Sequence, residues 1–129
     1  MAQHTHLFTP GAAVTFTAEA AVTAGQLVIV TGDRQVSPAT AKAATWVGTA
    51  AFDAAIGESV TILKGGVQKI LASGVIAAGD VVVAGAAGTV ATLAAVTTPT
   101  AADVTDTRAI VGIALTGGED VAVEIDLVR

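Results

Sequence analysis

The stretch Val22-Thr-Ala-Gly25-Gln-Leu-Val-Ile-Val30 occurs a second time further along the chain, as Ile76-Ala-Ala-Gly79-Asp-Val-Val-Val-Ala84. In each copy a glycine precedes a short run rich in β-branched residues, a pattern typical of a turn that leads into a strand. Glycines also interrupt nearly all the other apolar runs before they reach the length of a helix. The predicted fold class is therefore all-β, in spite of the high content of alanine, a good helix former.

Two further blocks, one of the form Val-Gly-x-Ala and one beginning Gly-Glu, also occur twice and in the same order. The pairs are Val47-Gly48-Thr-Ala50 with Val111-Gly112-Ile-Ala114, and Gly57-Glu58-Ser-Val60-Thr-Ile62 with Gly118-Glu119-Asp-Val121-Ala-Val123. The ordered set predicts an internal duplication, with repeat halves at about 22–62 and 76–125 and the extra residues of the second half in a loop at 97–106. Chance similarity in a sequence of low diversity is the alternative.

The predicted architecture is a compact barrel or sandwich of short strands. Gly65-Gly66 is predicted to form a hairpin turn between the strands on either side of it, and Gly85-Ala-Ala-Gly88 to form another. Helix is limited to short turns at 38–44 and 52–56. The predicted strands are 14–17, 26–31, 45–50, 59–63, 67–71, 80–84, 89–93, 109–114 and 121–128.

Composition excludes several functions for this chain of 129 residues, which is the size of one domain. There is no cysteine, so disulfides and thiolate metal sites are absent. A net charge of −5 disfavours binding to nucleic acid and to anionic membranes. Glycines divide the weakly charged stretch at 70–96 into pieces of strand length, so no membrane span is predicted. With only 13% charged residues, the surface suits a protein that packs against other subunits.

The order of the repeated blocks, followed by Gly-Gly-Val at 65–67 and Ala-x-Gly-Asp-Val-Val at 77–82, resembles a family of small phage proteins known as capsid cement or head decoration proteins. The resemblance covers roughly residues 20–125. It implies a structural virion protein that binds the exterior of a tailed-phage capsid and stabilises it by bridging capsid subunits. It also implies the major capsid protein as partner and a homotrimeric assembly, with no catalytic residues and no cofactor.

Residues 1–13 are predicted to form an extended N-terminal arm ahead of a single β domain at 14–129. The arm has no apolar periodicity and no signal-peptide core, and it contains Pro10-Gly11, a loop signal. Because it cannot bury a face of its own, it is expected to become ordered only on a partner. The predicted contacts with the capsid or a neighbouring subunit are His4, His6, Leu7, Phe8 and Trp46, although Trp46 also fits a core anchor.

No group of residues in the sequence predicts an enzyme. His4 and His6 could form half of a metal site, but no third ligand lies near them in the sequence. Glu58 and Glu119 each directly follow a glycine at a strand entry, where a solvated turn acid is ordinary. Gly85-Ala-Ala-Gly88 lacks the Gly-Lys-Ser/Thr ending of a phosphate loop. The competing functions are a carbohydrate- or cell-surface-binding module and another minor phage head or tail protein.

Overall fold

The computed structural model describes residues 13–129, and its first half is a closed barrel of five short strands. These strands are β1 (Val14–Ala18), β2 (Leu27–Gly32), β3 (Gln35–Pro38), β4 (Trp46–Ala50) and β5 (Ser59–Leu63). Their order around the barrel is β1-β3-β2-β4-β5. The barrel closes because β1 pairs in parallel with β3 and antiparallel with β5. The predicted all-β fold and barrel architecture are confirmed.

The second half is an open five-stranded sheet with a small two-stranded sheet beside it. Its strands are β6 (Val67–Leu71), β7 (Val75–Ile76), β8 (Val81–Ala84), β9 (Val90–Thr92), β10 (Ile110–Ala114), β11 (Gly118–Glu119) and β12 (Ala122–Leu127). The large sheet has the order β6-β12-β10-β8-β9, and β7 pairs with β11. One helix, α1 (Ala101–Asp106), and a 3₁₀ turn at Thr107–Ala109 precede β10.

The two five-stranded sheets repeat one arrangement, because β6, β8, β9, β10 and β12 have the same neighbours as β1, β2, β3, β4 and β5. The register agrees as well. Val28 lies opposite Gly48 in the first half, and Val82 lies opposite Gly112 in the second. The first two repeated blocks therefore occupy equivalent places. The halves differ at the seam, where the pairing of β1 with β3 is reduced to a single bridge in the second half.

The third repeated block does not align as predicted. Ala50 and Ala114 are equivalent, and they lie opposite Ile62 and Ile125 respectively. Ile62 thus corresponds to Ile125 and not to Val123. The mismatch arises because the Gly-Glu pair begins seven residues after Ala50 but only four residues after Ala114, so in the second half it forms β11 instead of leading directly into the last strand. Glu58 and Glu119 are consequently not equivalent.

The repeated Val-Gly-x-Ala block has a steric cause. A Cβ atom at Gly48 would come well under 3.0 Å from the carbonyl oxygen of Leu63, and one at Gly112 would meet that of Asp126 in the same way. Gly48 therefore allows β4 to approach β5 closely, and Gly112 allows β10 to approach β12 in the same way.

The predicted hairpin at Gly65-Gly66 is wrong. Strand β5 pairs with β1 and β4, whereas β6 pairs with β12, so the two glycines connect the two halves. Their φ angles of 68° and 66° lie in the left-handed region, where glycine carries no steric cost. The other predicted hairpin, across residues 85–88, is confirmed by the pairing of β8 with β9.

The helical predictions are also corrected. Of residues 38–44, Pro38 ends β3 and the remainder forms non-helical turns, and residues 52–56 contain an isolated bridge from Ala54 to Val22 and the start of a turn but no helix. The predicted loop at 97–106 contains α1 instead. A capping box starts this helix, because the carboxylate of Asp103 accepts hydrogen bonds from the main-chain N–H and hydroxyl of Thr100, at 2.7 and 3.0 Å.

The buried side chains form two clusters, one made of residues from the first half alone and one made of residues from both halves. The first barrel encloses a cluster made only of its own residues, including Val28, Val60 and Ile62. The cluster of the second sheet also contains Leu27, Ala39 and Trp46 of the first half. The outer face of β2 and β4 therefore completes the core of the second sheet.

Candidate interaction surface

The side chain of Trp46 contacts residues of both halves of the chain. Its side chain is fully buried, and its indole N–H donates to the carbonyl oxygen of Ile110 at 3.1 Å. The guanidinium of Arg129 lies 4.4 Å from the centre of the indole ring and donates to the main-chain oxygens of Ala44, Trp46 and Arg108. The predicted contact of Trp46 with the capsid or another subunit is therefore wrong, because a side chain enclosed by its own chain has no surface to offer.

The other four predicted contact residues, His4, His6, Leu7 and Phe8, lie outside the described residues and stay predictions.

Exposed large apolar side chains are concentrated in the second half. Of the fourteen among residues 13–129, four precede Gly65 and ten follow it. The first group is Val30, Phe52, Ile56 and Leu63, and the second is Val67, Leu71, Val75, Val81, Val96, Val104, Ile113, Leu115, Val121 and Val128. An uneven apolar surface of this kind marks the second half as the main candidate for protein–protein contact.

Four apolar residues lie side by side on the outer face of the second sheet, and we call them the outer strip: Val81, Leu93, Ile113 and Leu115. Ile113 lies opposite Val81, and the N–H of Leu93 donates to the carbonyl oxygen of Val81 at 2.9 Å. Leu115 is two residues beyond Ile113, and its N–H donates to the main-chain carbonyl oxygen of Glu124 at 2.8 Å. These pairings place the four residues on three neighbouring strands and their extensions.

The insertion that contains α1 covers the sheet next to the outer strip. Val83 is two residues beyond Val81 and so shares its face, yet it is buried at 3% exposure, with the turn at Thr107–Ala109 packed against β8. An ion pair of 2.7 Å between Lys42 Nζ and Asp106 Oδ2 ties α1 to the first half. The hydrogen bond and the charge of Asp106 raise the pKa of Lys42 above its ordinary value of 10.5.

A groove of about 310 Å³ lies where the two halves meet. One wall is formed by residues 23–26 of the first half, and the opposite walls are formed by Lys69 and Leu71 of β6 and by the turn at 87–89. Among residues 13–129, Lys69 is the only charged residue that lines the groove, and it lies opposite Glu124 on β12. The lining residues from this part of the chain include no pair of carboxylates and no nucleophile with a base.

Of the two carboxylates that the sequence singled out, Glu119 lies in β11, and Glu58 lies between a turn and β5. The carboxylate of Glu58 accepts a hydrogen bond from the N–H of Ala55 at 3.2 Å. Asp80 accepts from the N–H of Ala77 at 2.9 Å and from the hydroxyl of Thr92 at 3.0 Å. Within residues 13–129 there is no group of three or more His, Asp or Glu that could hold a metal ion. None of the helices in this part of the chain is long and apolar enough to cross a membrane.

Sequence reasoning missed the outer strip, although a signal was present. Val81, Val82 and Val83 are consecutive valines, and a strand with apolar residues at successive positions has two apolar faces. Val82 faces the core, so Val81 faces outwards.

Comparison with known proteins gives matches of two kinds. The model of the family described as phage cement protein matches residues 8–127. Among solved structures, the base of the head fiber gp8.5 of bacteriophage phi29 matches with a TM-score of 0.66 and 18% identity, over 90% of this chain and 92% of that chain. At this identity the second match shows a shared fold. No curated protein sequence matches the chain.

Proposed function

Since the chain belongs to the phage cement protein family, we propose that it binds the exterior of a tailed-phage capsid and stabilises the shell by bridging subunits of the major capsid protein. A protein that binds the assembled shell but not its separated subunits shifts the equilibrium towards the assembled state. The family match carries this proposal. The exposed apolar residues of the second half support it, because they provide a surface that a second protein can bury.

Bridging requires at least two separate contact surfaces on the cement protein. The second half offers its exposed apolar face, and residues 1–13 are the second candidate, through His4, His6, Leu7 and Phe8. We expect the arm to act as a clamp on the capsid or on an adjacent subunit. One chain carries a single set of these contacts, so an oligomer would bind the shell through several weak contacts at once and gain avidity.

The proposed assembly is a homotrimer. Most soluble oligomers are closed and symmetric, and the three-fold order follows from the resemblance to the family. The low content of charged residues, 13%, agrees with a chain whose surface is largely covered in the particle.

The test uses phage particles that lack this protein, to which the purified chain is added. We expect saturable binding and a higher temperature of DNA release, and a density map of the particles should place the chain outside the shell across capsid-subunit joints. Binding without any change in heat resistance would contradict stabilisation. Density inside the shell or on the tail would instead favour another minor structural protein.

A carbohydrate-binding module is less well supported. Such modules stack sugars on exposed aromatic rings, and the only tryptophan of the chain is buried. Among residues 13–129, Phe52 is the one large aromatic side chain that is more than a third exposed. Binding of the purified chain to a glycan array would revive this alternative.

A further inference from the structure

The groove between the halves lies where the second half does not fully repeat the first. Strand β6 corresponds to β1, and the two strands lie opposite the equivalent residues Ile125 and Ile62. Counting along both strands from these pairs places Leu71 of the second half at the position of Thr17 in the first. The two residues therefore occupy equivalent places beside the seam of each half.

The turns on the other side of the seam are equivalent as well. Val36 of β3 pairs with β1, and Val90 of β9 forms the single bridge to the residue that follows β6. Arg34 and Gly88 each lie two residues before these valines. Gly88 therefore takes the place of Arg34.

A hydrogen bond that closes the seam of the first half is missing in the second. The N–H of Thr17 donates to the carbonyl oxygen of Arg34 at 2.7 Å. The N–H of Leu71 finds no acceptor among residues 13–129, and Leu71 and Gly88 line the groove instead. The groove is thus an open part of the seam.

The side chain of Arg34 makes a second bond that has no equivalent in the second half. Its guanidinium donates to the carbonyl oxygen of Thr15 at 3.4 Å. Lys69 takes the place of Thr15 on β6, and Gly88 has no side chain that could reach its carbonyl oxygen.

Main-chain groups of β6 consequently face the groove. Beside the end of β6, the N–H of Ala72 donates to the carbonyl oxygen of Val121 at 2.9 Å. Hydrogen-bonded pairs alternate along an antiparallel ladder, so Ile70 also bonds to β12, whereas the N–H and C=O groups of Lys69 and Leu71 point away from β12. Both of these residues line the groove.

A free strand edge of this kind binds an extended peptide, which adds to the sheet as a further strand. The groove of about 310 Å³ is at the lower end of the range of about 300–1,000 Å³ for ligand sites, so it holds a few residues and not a folded domain. Its apolar lining places Leu71 beside Ala24, Ala87 and Ala122. These features favour a short extended segment with apolar side chains.

The chain contains such a segment at residues 5–9, Thr-His-Leu-Phe-Thr, outside the described residues. Thr and Phe are enriched in strands, and Leu7 and Phe8 supply apolar side chains. Pro10 and Gly11 follow directly and would end a strand, because proline has no N–H for the ladder.

The linker between this segment and β1 is long enough to reach the groove. Val14 lies opposite Ile62, and the next residue, Leu63, accepts a hydrogen bond from the side-chain amide of Gln68 at 3.0 Å, so β1 and β6 both start beside the end of β5. An extended chain from Phe8 to Val14 covers up to about 20 Å. A tethered segment also meets its binding surface at an effective concentration in the millimolar range, which favours it over a peptide from another molecule.

We propose that residues 5–9 bind in the groove of their own chain as an added strand, paired through main-chain groups with Lys69 and Leu71 of β6. Successive side chains of a strand point to opposite faces, so one of the neighbours Leu7 and Phe8 covers the exposed side chain of Leu71.

The first test is hydrogen exchange at single amides of the full chain. The N–H of Leu71 should be protected, and the double variant Leu7→Gly with Phe8→Gly should lower its protection by about tenfold or more. The N–H of Ile70, bonded to β12 in both chains, is the internal control and should keep its protection.

The matched control variant is Ala2→Gly with Gln3→Gly, outside residues 5–9, and it should leave the exchange of Leu71 unchanged. An unprotected Leu71 amide in the natural chain, or equal protection in all three chains, would overturn the inference.

The second test is a disulfide within one chain, because the natural chain has no cysteine. Leu71→Cys is combined with Leu7→Cys in one variant and with Phe8→Cys in another, and we expect one of the two to form a disulfide within the monomer. The same arm cysteines combined with Ile56→Cys, at an exposed position of the first half, should not. Covalent dimers alone would overturn binding to the same chain, and no disulfide in either variant would overturn the added strand.

The inference goes beyond the proposed function, because it concerns how the arm is held on its own chain. It leaves residues 1–4, with His4, for the proposed clamp on the capsid. Failure of both tests would leave the capsid role standing, because the binding and heat resistance of particles test that role independently.

Discussion

Gly48 and Gly112 are positions where the sheets leave no room for a side chain. We expect Gly112→Ala to lower the free energy of unfolding by about 1–3 kcal/mol, the usual cost of overpacking, because its methyl group would overlap the carbonyl oxygen of Asp126. Urea denaturation measures the change. Ser59→Ala, at an exposed strand position, is the control and should change stability by less than about 0.5 kcal/mol. Equal stability of both variants would contradict the steric explanation.

Arg129 connects three segments of the chain through one planar group. Its guanidinium reaches the main-chain oxygens of Ala44, Trp46 and Arg108 and stacks on the indole ring. Lysine keeps the charge but cannot present the same fork of donors. Arg129→Lys should therefore lower the free energy of unfolding by about 1–2 kcal/mol in a urea titration.

Arg108→Lys is the matched control for Arg129, because Arg108 contributes its main-chain oxygen to this cluster. It should leave stability nearly unchanged. A loss as large as that of Arg129→Lys would show that the effect is not specific to the guanidinium of Arg129.

At the scale of elements, α1 depends on its ion pair with Lys42. The pKa of Lys42 is raised in the folded chain, chiefly by its hydrogen bond to Asp106 and then by the charge of Asp106. A group with a raised pKa contributes its stability in full below its unfolded pKa and loses it as pH rises through the folded pKa. The thermal midpoints of the natural chain and Lys42→Met should therefore differ at pH 8 and converge as the pH rises beyond 10.5 and through the raised pKa of Lys42.

Lys64→Met is the control for this titration. It removes an exposed lysine that forms no ion pair with any of residues 13–129, so its midpoint should follow that of the natural chain across this pH range. A constant difference between Lys42→Met and the natural chain across this range would contradict a role for the charge of Lys42.

The proposed N-terminal arm can be tested by truncation, because the described sheets begin at β1. A chain lacking residues 2–13 should keep its β-type circular dichroism. On cement-free particles it should bind more weakly and release DNA at a lower temperature than the full chain. Leu7 and Phe8 could each contribute about 1.5–3 kcal/mol if fully covered. Equal binding and equal heat resistance of the truncated chain would remove the clamp from the proposed function.

The positions of strands were predictable where the local sequence pattern decides them. Which strands pair with each other was not predictable. The bounds of β5 and β6 agree with the prediction at 59–63 and 67–71. Their pairing was wrong because it depends on contacts with β1, β4 and β12, distant in sequence. Strand β3 was missed because Pro38 and the small residues after it favoured a helical turn. The capping box of Thr100 and Asp103 was readable, but the Pro and Thr content of the segment favoured a loop.

The candidate surface was predictable only in part, for a related reason. Trp46 was expected at an interface because large aromatic residues are common there, yet the interface it fills lies between the two halves of its own chain. The outer strip follows from the repeat only once the register of β8 against β10 is known.

At the scale of the whole molecule, the two halves differ in how far each supplies its own core. The first barrel is enclosed by its own residues, whereas the second sheet borrows Leu27, Ala39 and Trp46. A fragment ending at Gly66 should therefore unfold cooperatively in urea, monitored by circular dichroism, and a fragment beginning at Val67 should not. A cooperative second fragment would show that the borrowed side chains are dispensable.

This one-way dependence agrees with the direction in which a ribosome makes the chain. The self-sufficient barrel emerges first and can fold while the remainder is still being synthesised. The folded barrel then presents the side chains that complete the core of the second sheet. If the second half were synthesised first, the apolar face of its sheet would stay exposed in the cell until the first half had folded. A gene with the halves exchanged should give the same sheets and much more aggregate.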